Sequence, residues 1–184
     1  MKNRIFPILI LLTLTVFNFS CKEGAYGKKV KEPMSGSNYE SNNRYFRAVG
    51  KGVSVKDNIA SGKADIDAKN TLAGQVNTNI KNVTDQYLAQ TENEKKGEVA
   101  DKFQSLVRQV MNTSLSDLRK FDEKKFFDGE NYTVFVAYEI HKKSMFKFIK
   151  KQAETQNDID KKTLKLIDDI LEKEIKKLEL EEGK

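Results

Sequence analysis

The sequence contains no tryptophan, one cysteine, one histidine and two prolines. A single cysteine excludes an intramolecular disulfide and a metal site built from several thiolates. A single histidine excludes any site that needs a histidine pair. His141 could still serve a catalytic triad, but no Gly-x-Ser-x-Gly motif supplies its nucleophile. We therefore predict that the chain is not an enzyme, has no catalytic or metal-binding residues, and uses no cofactor or small-molecule substrate.

A strong excess of one charge is also missing, since 33 Lys and Arg residues face 27 Asp and Glu residues, for a net charge of +6. The cations are dispersed among the acidic residues, which is typical of a solvated surface rather than of a nucleic-acid footprint. We therefore predict no nucleic-acid partner. Several carboxylates near the C-terminus alternate with lysines in the same way and indicate a solvated helix face; they are Asp158, Asp160, Asp168, Asp169 and Glu172.

The longest apolar run, residues 5–19, follows the basic residues Lys2 and Arg4 and has the layout of a secretory signal peptide. It is shorter than the roughly 20 apolar residues of a membrane-spanning helix. Residues 18–21, Asn-Phe-Ser-Cys, resemble the lipobox of bacterial lipoproteins, in which a small residue precedes a cysteine that is acylated and becomes the new N-terminus. The lipobox usually has Leu in place of Asn18 and a small residue in place of Phe19.

Two other interpretations of the lone cysteine stay open: an ordinary signal peptide cut near Ser20, or a buried thiol that packs as a small hydrophobe. We predict a signal peptide over residues 1–20 and lipidation of Cys21, which makes the membrane a partner through the anchor. Lys22 follows the cysteine, and the resemblance then implies sorting to the outer membrane, with the leaflet left open. Residues 21–43 are rich in Gly, Ser, Asn and Lys and are predicted to form a lipidated flexible tether.

No proline follows Pro33, so long uninterrupted elements are allowed. The alternation in residues 44–54 predicts a strand whose Gly50 and Gly52 let another backbone lie close. Alanine and then larger apolar residues recur every three or four positions over residues 57–87, which predicts a long helix. Residues 99–110 predict a second, shorter helix.

Residues 115–127 and 131–141 are predicted to be two strands joined by Asp128-Gly129, a strong hairpin signal. Residues 142–180 carry apolar residues at helical spacing and predict one amphipathic helix. We therefore expect an α+β fold: a small antiparallel sheet of one N-terminal strand plus a hairpin, covered on one face by long amphipathic helices, with a long C-terminal helix. The predicted organisation is an α+β domain over residues 44–143 and a charged amphipathic C-terminal helix over residues 144–184.

Two segments carry this pattern in a recognisable form: residues 47–76, RAVGKGVSVKDNIASGKADIDAKNTLAGQV, and residues 118–140, LRKFDEKKFFDGENYTVFVAYEI. They resemble the bacterial lipoprotein family often called LPP-twenty, in which a strand with a Gly-x-Gly-like end precedes a helix with alanine at four-residue steps and a later hairpin. The resemblance covers about residues 44–141 and consists of packing signatures. It implies an outer-membrane or surface lipoprotein without established catalytic activity, related in fold to the N-terminal domain of a flagellar basal-body protein.

Two motifs have both a functional and a structural interpretation. Gly50-Lys51-Gly52 suits a phosphate loop or close backbone packing, but the third glycine of the dinucleotide motif is missing. Residues 141–151, HKKSMFKFIKK, suit contact with anionic lipid headgroups or the start of a core-packed helix. The functional hypothesis is a membrane-anchored lipoprotein with a non-catalytic interaction domain that binds a protein partner. The alternative is a structural envelope or flagellum-associated component that forms homo-oligomers.

Overall fold

A computed structural model of the protein describes residues 27, 30–90, 96–113, 118–157 and 159–183. The predicted signal peptide and Cys21 lie outside the described residues. By its internal contacts the chain divides into Met1–Glu32 and a compact unit, Pro33–Lys184. All the described helices and strands lie in the second unit.

Three strands and four helices make up the described part of this unit. In chain order they are β1 (Tyr45–Ser54), α1 (Asp57–Ala89), α2 (Lys96–Thr113), β2 (Arg119–Phe127), β3 (Tyr132–His141), α3 (Lys142–Ala153) and α4 (Lys161–Glu182). The strands form one antiparallel sheet in the order β1-β3-β2, and the helices share a core with one face of it. The predicted α+β fold is therefore confirmed.

Helix α1 packs so closely on β1 that the two backbones are in contact, and the glycines of the strand make this possible. A Cβ atom at Gly50 would overlap the Ala64 carbonyl oxygen and the Ala68 nitrogen, and one at Gly52 would overlap the Ala60 carbonyl oxygen. The three alanines are completely buried. Close packing is thus the role of the Gly-Lys-Gly motif, as one of its two interpretations predicted.

The two faces of β3 are buried in different clusters of side chains. Val134, Val136 and Ile140 point into the main core with the helices, whereas Phe135 and Ala137 belong to a separate small cluster on the opposite face. This alternation follows the period of two of a β-strand. Because this central strand is covered on both sides, seven of its ten residues are buried.

The hairpin differs in detail from the prediction. Its described first strand begins at Arg119 rather than at residue 115, and residues 114–117 lie outside the described part. The loop spans 128–131: the Asp128 N–H donates to the Asn131 carbonyl oxygen at 3.2 Å, and Gly129 has φ of 101°. The Asp128 carboxylate accepts hydrogen bonds from two loop N–H groups, which lower its pKa.

The predicted long C-terminal helix is confirmed as α4, but its predicted extent is wrong, because the chain turns between Ala153 and Lys161 and the residues before the turn form α3. Asp160 caps α4 by accepting hydrogen bonds from the Lys162 and Thr163 N–H groups at 3.1 Å each. Both helices carry apolar stripes that face the same core, so a continuous helix would leave one stripe exposed. The core-packed interpretation of residues 141–151 is confirmed, since Met145, Phe146 and Ile149 are buried.

Candidate functional site

The face of the sheet that points away from the helices, here called the outer face, carries an unusual set of side chains. Cross-strand pairs Arg47–Glu139 and Lys51–Phe135 link β1 to β3, and Arg119–Glu139 and Lys124–Phe135 link β2 to β3. Directly paired residues point to the same side of a sheet. The outer face therefore combines cations with aromatic rings instead of the uniform polar surface of a solvated sheet.

Residues from the predicted tether cover the middle of this face. Met34 is buried against Phe135 and Ala137, and the Tyr39 ring stacks on Phe121 with their centroids 5.9 Å apart. The compact unit thus begins at Pro33, earlier than the predicted domain start at residue 44. The physical reason is that Phe135 and Ala137, on the outer side of β3, are buried from water by this segment, and a tether that did not pack on the sheet would leave them exposed.

A hydrogen bond fixes the covering segment to the hairpin. The Tyr39 hydroxyl donates to Asp122 Oδ2 at 2.5 Å. This bond lowers the pKa of the Asp122 carboxyl and raises the pKa of the Tyr39 hydroxyl. This partly buried bond fixes the position of Tyr39 relative to β2.

Glu139 lies at the centre of one end of the outer face, and two arginines neutralise it. Arg47 Nε lies 2.9 Å from Glu139 Oε2, and Arg119 Nε lies 3.0 Å from Oε1. The carboxylate is only 3% exposed, whereas the side chain of Arg119 is 71% exposed. Burying an unpaired carboxylate is costly, so the arginines are needed to hold it. A carboxylate paired in this way is not free to act as a general base.

Two lysines complete the positive surface. The Lys51 ammonium lies 5.5 Å from the centroid of the Phe135 ring, and the Lys124 ammonium lies 5.8 Å from that of Tyr39. Neither lysine forms a salt bridge with a described carboxylate. Phe126 packs edge-on against Phe135 and remains 48% exposed. We call Arg47, Lys51, Arg119, Lys124 and Phe126 the cationic face; it presents positive charge beside an exposed ring.

A groove of about 720 Å³ opens beside β1, between α1 and residues 39–41. Lys142 lines it with its ammonium 4.8 Å from the centroid of the Phe46 ring, and burial lowers the pKa of this lysine. Asn79 also lines the groove, and its buried Oδ1 has no hydrogen-bond partner among the described residues. The Phe46 ring is buried and covered by the ammonium, so it offers no free surface to a flat ligand.

The structure gives local roles to the residues that sequence motifs singled out. The Lys51 N–H donates to the Asp67 carboxylate at 3.0 Å, so the Gly-Lys-Gly segment is a strand edge rather than a phosphate loop. His141 is half-buried, and its Nδ1 accepts the Ser144 N–H at the start of α3. Its Nε2 lies 2.9 Å from Glu182 of α4, so the imidazole joins two elements.

Two of the C-terminal carboxylates that were predicted to lie on a solvated helix face, Asp168 and Glu172, form salt bridges with a lysine of α3. Lys150 Nζ lies 2.9 Å from Asp168 and 2.6 Å from Glu172, and these contacts raise the pKa of the lysine. Asp158 lies outside the described residues. Within the part of the chain that the structure describes, no three His, Cys, Asp or Glu side chains are grouped to hold a metal ion.

Sequence reasoning missed the residues of the cationic face. Glu139 gave a usable signal in the sequence, because it is the one charged residue in segment 131–140. Its two arginine partners are far away in sequence and gave none. Met34 and Tyr39 were visible only as two apolar residues in a polar stretch.

The fold and these sites define an α+β domain with one helix-covered face and one cationic, partly aromatic face. The chain matches no known protein family, no curated protein and no solved structure. Among the described helices, none has the length and apolar character that crossing a membrane requires.

Proposed function

We propose that the chain is a bacterial outer-membrane lipoprotein, anchored through lipid on Cys21, whose folded unit is a non-catalytic interaction domain. The observation that carries this proposal is the position of the sole cysteine. It follows Ser20 at the end of the signal-like run and precedes a polar segment that begins with Lys22. The resemblance to the LPP-twenty family supports the same function.

The physics of lipid anchoring fits this arrangement. One acyl chain binds a bilayer only marginally, but two or more hold a protein stably, because each buried methylene adds about 0.8 kcal/mol. Cys21 precedes the compact unit, which begins at Pro33. Even a fully extended segment between these residues spans at most about 40 Å. The anchor therefore keeps the folded unit near the membrane.

A binding role without catalysis suits the side chains that are described. Glu139 is held by two arginines, His141 contacts Ser144 and Glu182, and Asp122 accepts a hydrogen bond from Tyr39. The Ser144 hydroxyl lies 3.5 Å from His141 Nδ1, and that nitrogen already accepts the Ser144 backbone N–H. What the folded unit offers instead is surface: the cationic face and the groove beside β1.

Self-association through the C-terminal tail has less support. Ile167, Ile170 and Leu171 of α4 are buried within the same chain. Leu180 is 73% exposed, but a single leucine is a small apolar surface. A tail that assembles copies of the chain would need a larger unpartnered stripe.

Metabolic labelling with radioactive palmitate tests the anchor. We expect the full-length precursor, expressed in a bacterial host with lipoprotein processing, to incorporate label and fractionate with the outer membrane. Cys21→Ser should abolish both the label and the membrane association, because a hydroxyl does not replace the acylated thiol. Ser61→Ala, a substitution in helix α1, is the matched control and should label normally. Absence of label in the wild-type protein would disprove the lipoprotein proposal.

A further inference from the structure

The first residues of the compact unit lie on its outer face. Met34 follows Pro33 directly and is buried against Phe135 and Ala137 of β3. The compact unit therefore begins on the side of the sheet opposite the helices.

The charge on this side favours a negative surface. Arg47, Arg119, Lys51 and Lys124 face two carboxylates, Glu139 and Asp122. Glu139 is buried between its arginines, and Asp122 accepts the Tyr39 hydroxyl, so neither presents a free anionic edge. The two lysine ammonium groups lie over aromatic rings and form no salt bridge with a described carboxylate, and the charge of Lys124 also helps to lower the pKa of Asp122.

The other titratable groups near this face do not reverse its charge. Glu40 lines the groove beside β1, and the Asp67 carboxylate of α1 accepts the Lys51 N–H at the strand edge. His141 is paired with Glu182. The phenol of Tyr45 is in contact with the imidazole of His141 and with Arg47. The face thus keeps an excess of positive charge.

An exposed ring lies within this positive surface. Phe126 is 48% exposed and packs edge-on against Phe135, and the Lys51 ammonium also lies near the Phe135 ring. A ring flanked by cations suits the boundary between headgroups and acyl chains, where the ring leaves water while the ammonium groups stay with phosphates.

We infer that the cationic face lies against the bilayer and binds its anionic phospholipid headgroups, with Phe126 at the interface. This inference rests on the proposed anchor for its choice of a membrane as the occupant. The anchor and the face are nevertheless separate binding elements, so each is tested without the other.

Vesicle binding by unlipidated protein tests the face. Residues 22–184 contain the whole compact unit and lack the lipidated cysteine. We expect this protein to co-sediment with vesicles of phosphatidylethanolamine and phosphatidylglycerol and not with phosphatidylcholine vesicles. The double variant Lys51→Glu/Lys124→Glu should bind the anionic vesicles about tenfold more weakly, because two positive side chains that attract the headgroups become negative and repel them.

The control reverses two exposed lysines on the helical side, Lys81→Glu/Lys165→Glu, for the same change in net charge. It should bind within about twofold of wild type if a specific face is used. Equal loss in both double variants, or no binding of the wild type to anionic vesicles, would overturn the inference. Either result would leave the palmitate experiment unaffected, since that experiment reports the anchor alone.

The absence of tryptophan allows the orientation to be measured directly. Phe126→Trp places one indole on the cationic face, and Ile66→Trp places one on the exposed side of α1, where Ile66 is 61% exposed. On anionic vesicles containing brominated lipids, we expect a blue shift and quenching for the first variant only. Equal quenching of both indoles would exclude the proposed orientation.

Discussion

At the scale of single residues, the two arginines that contact Glu139 differ strongly in their exposure to solvent. The side chain of Arg47 is 18% exposed and that of Arg119 is 71% exposed, while both contact the same carboxylate. Solvent screens an exposed ion pair and leaves little net stabilisation. A pair that is withdrawn from water is more sensitive to the loss of one partner. The two arginines therefore contribute unequally to the stability of the fold, although their contacts with Glu139 are similar in geometry.

We predict that Arg47→Ala lowers the free energy of unfolding by about 2 kcal/mol. Arg119→Ala should lower it by less than about 1 kcal/mol, because removing Arg119 also opens Glu139 to water. Urea denaturation of both variants at neutral pH measures the difference. Equal losses would show that burial does not control this pair.

A second residue-scale feature links Tyr138 of β3 to Asp65 of α1. The Tyr138 hydroxyl donates a hydrogen bond to Asp65 Oδ1. Burial, and then this hydrogen bond and the carboxylate charge, raise the pKa of Tyr138 to about 12. A tyrosine whose pKa is higher in the folded state stabilises the fold below the unfolded-state pKa of about 10. The contribution is lost as the pH rises through the folded-state value.

Tyr138→Phe should therefore be less stable than wild type at pH 8, by about 1–2 kcal/mol for a hydrogen bond to a charged acceptor. The difference should shrink as the pH rises above about 10, because the unfolded wild type then ionises Tyr138 while the folded state, with a pKa of about 12, keeps the proton. Chemical denaturation at several values between pH 8 and pH 11 measures both effects. A difference that stays constant over this range would contradict the assignment.

At the scale of elements, the contact between α1 and β1 depends on the absence of side-chain atoms. Gly52 lies against Ala60, and Gly50 lies against Ala64 and Ala68. Small residues on both elements let two backbones approach, whereas any added atom must displace one of them. This close approach places the strand edge under the long helix.

We predict that Gly52→Ala destabilises the protein by about 2–3 kcal/mol, because the new methyl group overlaps the α1 backbone. Gly62→Ala is the control in α1, where an added Cβ atom meets nothing within 4 Å. It should stabilise the protein by about 0.5–1 kcal/mol through higher helix propensity. Thermal unfolding monitored by circular dichroism compares the two. Similar effects of both substitutions would disprove backbone-level packing.

At the scale of the whole molecule, the C-terminal region is part of the core rather than an appendage. Ile149 of α3 and Ile167 of α4 are fully buried in the cluster that also contains the helix-facing side of the sheet. Salt bridges from Lys143 to Glu182, and from Lys150 to Asp168 and Glu172, join the two helices. The residues predicted as a separate helix therefore complete the folded unit.

We predict that Ile167→Ala lowers the free energy of unfolding by about 3 kcal/mol through the cavity it creates. Leu180→Ala on the same helix should change it by less than about 0.5 kcal/mol, because Leu180 is exposed. Denaturant titration of both variants is the measurement, and both should unfold in a single transition. A separate early transition in Ile167→Ala would indicate that the tail folds on its own.

Most of the fold was predictable from local patterns. The alternation of residues along β3 located its two faces, and the four-residue alanine repeat with Gly50 and Gly52 predicted close packing of a helix on a strand. The break before α4 was partly visible, since Asp160 is a favourable N-cap residue. It was missed because the apolar spacing continues on both sides of the turn.

The sequence by itself determined the types of the elements and the sides of them that are buried, and the proposal of an anchor at Cys21 rests on it alone. Those features depend on neighbours within a few residues, where backbone geometry sets the period. Only the tertiary structure decided what meets on the outer face. Tyr39 and Asp122 are 83 residues apart, and Arg47 and Glu139 are 92 apart. Such contacts arise from the strand order and from the covering segment, which no local period encodes.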